Sequence, residues 1–196
     1  EKVRDRRFDY SRWIRMQEIS AMTANARKNT EMRLMPTIYV LVTPADADAQ
    51  TRFRTIRSIR ESTYRKVEIA RSITPKMSDN DYIAIVREGD LVAKHAFFEA
   101  VSCLQDGADV IYTDEDTLCA DGTSFCDPHF KPDYNPDYLR SINYIGRLIL
   151  VRVGTIRSCC RDEKDPMKVP RVSWLRSEAD YYDFVLRCAE KAAGKG

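Results

Sequence analysis

A chain of 196 residues with 43% hydrophobic and 10% aromatic content can bury a core of its own, which excludes a disordered tail. Its 32 basic and 30 acidic residues leave a net charge of +2, which removes the case for a general nucleic-acid binder. No apolar run nears the roughly 18 residues a membrane-crossing helix needs, and the opening EKVRDRRFDY lacks the apolar stretch of a secretory leader.

Residues 9–28 read as a helix, with Trp13, Met16, Ile19 and Met22 near helical spacing. A polar connector, NARKNTEMRLMP, leads to TIYVLVT (37–43), a β-rich run stopped by Pro44 and therefore a buried strand. TRFRTIRSIRES predicts a helix with Phe53, Ile56 and Ile59 facing inward and Arg52, Arg54, Arg57 and Arg60 on solvated faces. KVEIA is a weak strand, and YIAIV (82–86) a strong one. A helix is expected from about Val92 to Gln105, with Ala96, Phe97, Ala100, Val101 and Leu104 as its apolar stripe. ADVIYT is a fourth strand, Asp121-Gly122 a tight hairpin turn, and RLILVRV (147–153) a further strand. Ser177 with Asp180 three residues on forms a capping-box pattern that opens a last helix through Ala192. Strands alternating with helices predict an α/β fold with a mostly parallel central sheet flanked by helices.

None of the six cysteines forms a C-x-x-C pair, which argues against zinc and for reduced thiols in a cytoplasmic protein. Cys119 and Cys126 flank a turn, and nothing in the sequence demands that they pair. Without an initiator Met, and ending in EKAAGKG, the chain reads as a domain cut from a larger multidomain protein.

The chemistry gathers at ADVIYTDEDTL, where Asp114, Glu115 and Asp116 follow an apolar strand. In open α/β sheets ligands bind beyond the carboxyl ends of the strands. Acids at such an edge suit Mg²⁺ or Mn²⁺ shared with substrate phosphates, so Asp114 and Asp116 are candidate metal ligands. The bland alternative is a solvated acidic loop. Asp90 falls at the same edge. Thr43 ends the first strand, and Lys131 and Arg147 can meet a phosphate. The proline-containing stretch DPHFKPDYNPDYLRSINYIGRLILV carries more aromatics than a surface linker would. It supplies His129, able to donate to a sugar or phosphate or to serve structure alone, and, with it, Tyr134 and Asn143, which the family resemblance given next implies lie on an acceptor side.

The blocks DYIAIVREGDLVAKHAFFEAV, ADVIYTDEDTL and FKPDYNPDYLRSINYIGRLILVR resemble family 2 glycosyltransferases of bacterial surface-polysaccharide synthesis, of the O-antigen and rhamnan type. The resemblance runs nearly the whole chain in order and is most specific over residues 81–152. It implies a GT-A (nucleotide-diphospho-sugar transferase) fold. A helical lead-in would span 1–35, and the transferase domain 36–196 would divide into a nucleotide-sugar half (36–116) and an acceptor half (117–196). It also implies an inverting, metal-assisted transfer of a sugar from a nucleotide-diphosphate donor to a glycan or lipid-linked glycan. The expected location is the cytoplasm, including the inner face of the cell membrane.

Three departures accompany the likeness. Where the family carries Asp-x-Asp, this chain has Arg87, Glu88 and Gly89, and only Asp90 keeps its acid. Arg87 would then either replace the ion as a fixed cation or block the site. The stretch from Glu68 to Asp81 is far shorter than in the family, which shortens the nucleotide-binding half. The catalytic base expected at the last helix is displaced: Tyr181 takes its place, with Asp180 one residue before and Asp183 after. Two readings stay open, an active transferase with Asp180 as candidate base, or a degenerate GT-A module serving as scaffold or glycan-binding domain.

Overall fold

The computed structural model describes residues 10, 12–17, 35–44, 47–102, 104, 107–159, 175 and 177–194. A helical segment at 12–17 (α1) precedes β1 (Ile38–Thr43), α2 (Ala49–Arg60), β2 (Val67–Ala70), β3 (Tyr82–Arg87), α3 (Ala96–Ser102) and β4 (Val110–Tyr112). Then come β5 (Glu115–Leu118), β6 (Phe125–His129), α4 (Pro136–Ser141), β7 (Ile149–Arg152), α5 (Val153–Cys159) and α6 (Glu178–Ala193). The expected helix over 9–28 is helical at the residues described, and the rest of it lies outside them.

Five strands form the main sheet in the order β2-β1-β3-β7-β4. Parallel pairing joins β1 to both β2 and β3, while β7 runs antiparallel to β3 and β4. The sheet is thus mostly parallel, with one reversed strand set between two that agree. Alternation along β3 sorts the core into two faces, because successive side chains point to opposite sides. Ile83 and Ile85 join Leu41, Ile149 and Val151 under Ile156 of α5 and Phe184, Val185 and Cys188 of α6. Tyr82, Ala84 and Val86 join Ile38, Val40 and Leu150 under Ile59 of α2 and Phe97, Phe98 and Val101 of α3. Helices therefore cover both sides.

α2 differs from expectation in its orientation. Phe53, expected inward, is 64% exposed, while Thr55 and Ile59 are buried. Residues four apart share a helix face, so once Thr55 and Ile59 point inward, Phe53, two positions earlier, points out. α3 is shorter than expected, and α4 and α5 were not anticipated at all. α4 starts at Pro136, capped by the Asn135 side chain accepting from Tyr138 N–H. The capping box on α6 is complete: Ser177 accepts from Asp180 N–H, and Asp180 accepts from Ser177 N–H. Cys119 and Cys126 are bridged across the β5–β6 hairpin, Cα to Cα 6.0 Å, so the reduced-thiol expectation fails for this pair. The sulfurs of Cys159 and Cys188 lie 3.6 Å apart without a bridge between them, and Cys103 and Cys160 lie outside the described residues. No described helix is long and apolar enough to cross a membrane.

Candidate functional site

Reversal of β7 builds the site. Ile149 pairs with Ile85 of β3 and with Tyr112 of β4. The chain entering β7 thus lies at the carboxyl ends of β3 and β4, which sets Arg147 and Leu148 beside Arg87. A cleft opens there. Its lining includes Thr43, Arg87, Asp90, Arg147, Leu148, Ser177, Glu178 and Tyr181. Thr43, Arg87, Asp90 and Arg147, all singled out in the sequence, are brought together.

Each charged group is held from a different element. The loop after β3 is tied to α2: Gly89 N–H donates to the buried Thr55 hydroxyl at 2.9 Å, and Val92 N–H to Ser58 Oγ at 3.0 Å. Asp90 turns back to accept from Arg87 N–H at 3.2 Å. Burial raises the Asp90 pKa, against the opposing pull of the Arg147 and Arg87 charges. On the far wall α6 contributes Glu178, whose Oε1 is paired with Arg87 and lies 3.4 Å from Arg147 Nη2. Tyr181 donates to Gly146 O at 2.7 Å. Its hydroxyl pKa is raised, first by burial.

Glu115, rather than the aspartates flanking it, is the hub of the acidic triplet. It faces His129 across the β5–β6 pair, with His129 Nδ1 3.2 Å from Oε1. Oε2 accepts from Lys131 Nζ at 3.2 Å and from Arg147 N–H at 2.7 Å. Lys131, its side chain 1% exposed, also donates to the carbonyls of Ile145 and Arg147. Burial lowers the Lys131 pKa against the pull of Glu115. Burial would raise the Glu115 pKa, but the hydrogen bonds from Arg147, His129 and Lys131 bring it below the ordinary range. The pair grips the 145–148 turn, where Gly146 has φ +57° and Leu148 φ +50°. A Cβ on Gly146 would fall 2.6 Å from Glu115 Oε1, so this close approach requires glycine. Lys131 stands behind the turn that presents Arg147 and is absent from the cleft lining.

The remaining candidates sit elsewhere. Asp114 accepts from Lys131 N–H at 2.8 Å, and Asp116 accepts from the Tyr10 hydroxyl at 2.8 Å. Asp180 accepts from Ser177 N–H and Oγ–H within the capping box. Asp183 is exposed and paired with Arg187. Tyr134 is 39% exposed, and Asn143 Oδ1 is buried with no partner among the described residues. Trp13 of α1 meets Phe130 edge-on, centroids 5.7 Å apart, beyond the hairpin.

Among the described residues no three of His, Cys, Asp or Glu are arranged to hold a metal. Asp114 and Asp116 are engaged by different partners, and among the described residues the cleft's carboxylates, Asp90 and Glu178, share it with the Arg87 and Arg147 guanidinium groups. Sequence reading missed Glu178 and the central role of Glu115, and met Tyr181 only as the residue standing at the expected base position. Strand alternation offers the one available signal for Glu115, since it sets the middle acid on the face opposite its neighbours.

No protein-family model matches the chain. It is 37% identical over 118 residues to the uncharacterized protein y4gI of Sinorhizobium fredii, a stretch covering 56% of this chain and 11% of that protein. It is 36% identical over 78 residues to the O-antigen biosynthesis protein RfbC of Myxococcus xanthus, covering 39% of this chain and 6% of that protein. The chain thus spans about a tenth or less of the curated relatives it matches, and its likeness to a protein of O-antigen biosynthesis is partial.

Proposed function

We propose that this chain is a glycosyltransferase domain of the GT-A type, taking a nucleotide-diphospho-sugar donor for the assembly of a surface polysaccharide within a larger protein. The observation that carries the reading is the meeting of Arg87 and Arg147 in a cleft at the carboxyl edge of the sheet. The partial likeness to the O-antigen biosynthesis protein supports the polysaccharide setting. Two guanidinium groups aimed into one cleft match a diphosphate, whose oxygens accept bidentate hydrogen bonds. They also supply fixed positive charge for the negative charge that grows on the leaving diphosphate during transfer. In this reading Arg87 stands in for the ion, Asp90 holds the Arg87 backbone and sets its charge near both guanidinium groups, and Thr43 borders the donor. Lys131 acts from behind, by fixing the turn that carries Arg147. His129, Tyr134 and Asn143 stay as acceptor-side proposals.

A second reading, a module that holds ligand without transferring sugar, is favoured by one observation. Asp180 and Asp183 are committed to the capping box and to Arg187, and the position expected for the base is the buried Tyr181. Calorimetry with UDP, GDP and dTDP sugars, in EDTA and again with Mn²⁺, tests binding; release of free nucleoside diphosphate in the presence of a glycan acceptor tests transfer. The donor reading expects heat in EDTA that Arg147→Ala removes. No heat with any of these sugars in either buffer would refute it. Heat without turnover would favour the second reading.

A further inference from the structure

Glu178 has no counterpart among the sequence motifs, yet its one carboxylate reaches both cleft arginines, which come from β3 and from the turn before β7. The guanidinium side chains are 38% and 41% exposed, so a ligand can reach them. The two cleft acids differ in their freedom to move. Asp90 is half-buried, and its carboxylate accepts from Arg87 N–H. Glu178 sits on the first turn of α6 with its side chain 62% exposed. The cap of that helix is made by Ser177 and Asp180, so Glu178 can rotate into solvent without uncapping α6.

We propose that Glu178 is an internal stand-in for the ligand's anion. It bridges Arg87 and Arg147 in the free protein, keeps both aimed into the cleft, and is displaced when a diphosphate arrives. The inference rests on the donor-cleft reading and adds a selection rule to it. An ion that meets the arginines with the strength of one carboxylate merely exchanges for Glu178 and gains little. A diphosphate brings more charge and more acceptor oxygens, engages both forks at once, and wins the exchange. Glu178 thereby lowers affinity for every anion by a common factor, so that only an anion gripped strongly by both forks stays bound at ordinary concentrations.

The test uses inorganic pyrophosphate and inorganic phosphate as probes, titrated calorimetrically into the 196-residue chain, Glu178→Gln and Glu190→Gln. Glu190 lies on the same helix, pairs with Arg140, and is absent from the cleft lining, so its variant changes the net charge equally. Far-ultraviolet circular dichroism checks that each variant keeps its helices, and Glu178→Ala repeats the Glu178→Gln titration. The expected result is at least fivefold tighter pyrophosphate for both Glu178 variants, a similar gain for phosphate, and no change for Glu190→Gln. Unchanged or weaker pyrophosphate binding in the Glu178 variants overturns the proposal while leaving the donor reading in place. An equal gain in Glu190→Gln also overturns it, since net charge alone would then explain the effect. Tighter pyrophosphate without binding of any nucleotide sugar supports the stand-in and removes the donor reading instead.

Discussion

The 145–148 turn separates two charge clusters that use the same chemistry to opposite ends. Behind it, the Lys131 ammonium is buried and fully engaged by Glu115 and two carbonyls. In front, Arg87, Arg147 and Glu178 are each more than a third exposed and held by contacts that water can replace. A buried pair cannot exchange partners without leaving a charge in a poor solvent, so it fixes the backbone. A half-exposed trio can exchange, so it is suited to binding. Of the three acids that stand out in the sequence, Glu115 serves an internal cation, and the cations proposed for a ligand come from residues far apart in the chain.

The comparison breaks most visibly at Lys131. Lys131→Met strands Glu115 and two carbonyl groups, and should lower unfolding stability in urea by about 3 kcal/mol. A loss under 1 kcal/mol would mean the rear cluster does not hold the turn. Gly146→Ala should cost about 2 kcal/mol, combining the left-handed backbone with the collision against Glu115. By contrast, Arg147→Ala should change stability by less than about 1 kcal/mol while removing pyrophosphate binding.

Acid sharpens the same contrast. The Glu115 pKa is lowered in the folded chain, so its ionised form contributes stability that is present above the ordinary glutamate range. That contribution is lost as pH falls through the lowered folded value. Urea unfolding measured between neutral pH and pH 3 should show a slope that Glu115→Gln reduces, and equal slopes would show that Glu115 is not the group responsible. Tyr181→Phe removes one hydrogen bond to Gly146 O and should cost about 1 kcal/mol, read from the same urea unfolding.

What the sequence told depended on how local each signal was. β1 and β3 announce themselves as continuous apolar runs, because a strand covered on both faces has no polar side to show. Ser177 and Asp180 located α6 through a contact three residues long. The same contact explains why Asp180 is not a free carboxylate in the cleft, which the spacing did not convey. α4 was hidden by the prolines at 132 and 136, although Pro136 serves as its first residue. α5 follows β7 with no intervening loop, so Val153 read as the end of a strand. Thr43, Arg87, Asp90 and Arg147 were legible because each ends or borders a recognisable strand. Glu178 was not, because its partners lie 91 and 31 residues away and only the fold brings them together.

The central claim is that Arg87 and Arg147 hold the diphosphate of a nucleotide in this cleft. A crystal of the chain soaked with UDP in EDTA tests it most directly. The account predicts phosphate oxygens within hydrogen-bond distance of both guanidinium groups and Glu178 turned out toward solvent. A diphosphate bound instead at Asp114 and Asp116, seen only when Mn²⁺ is added and with the Arg87–Glu178–Arg147 bridge intact, would contradict it.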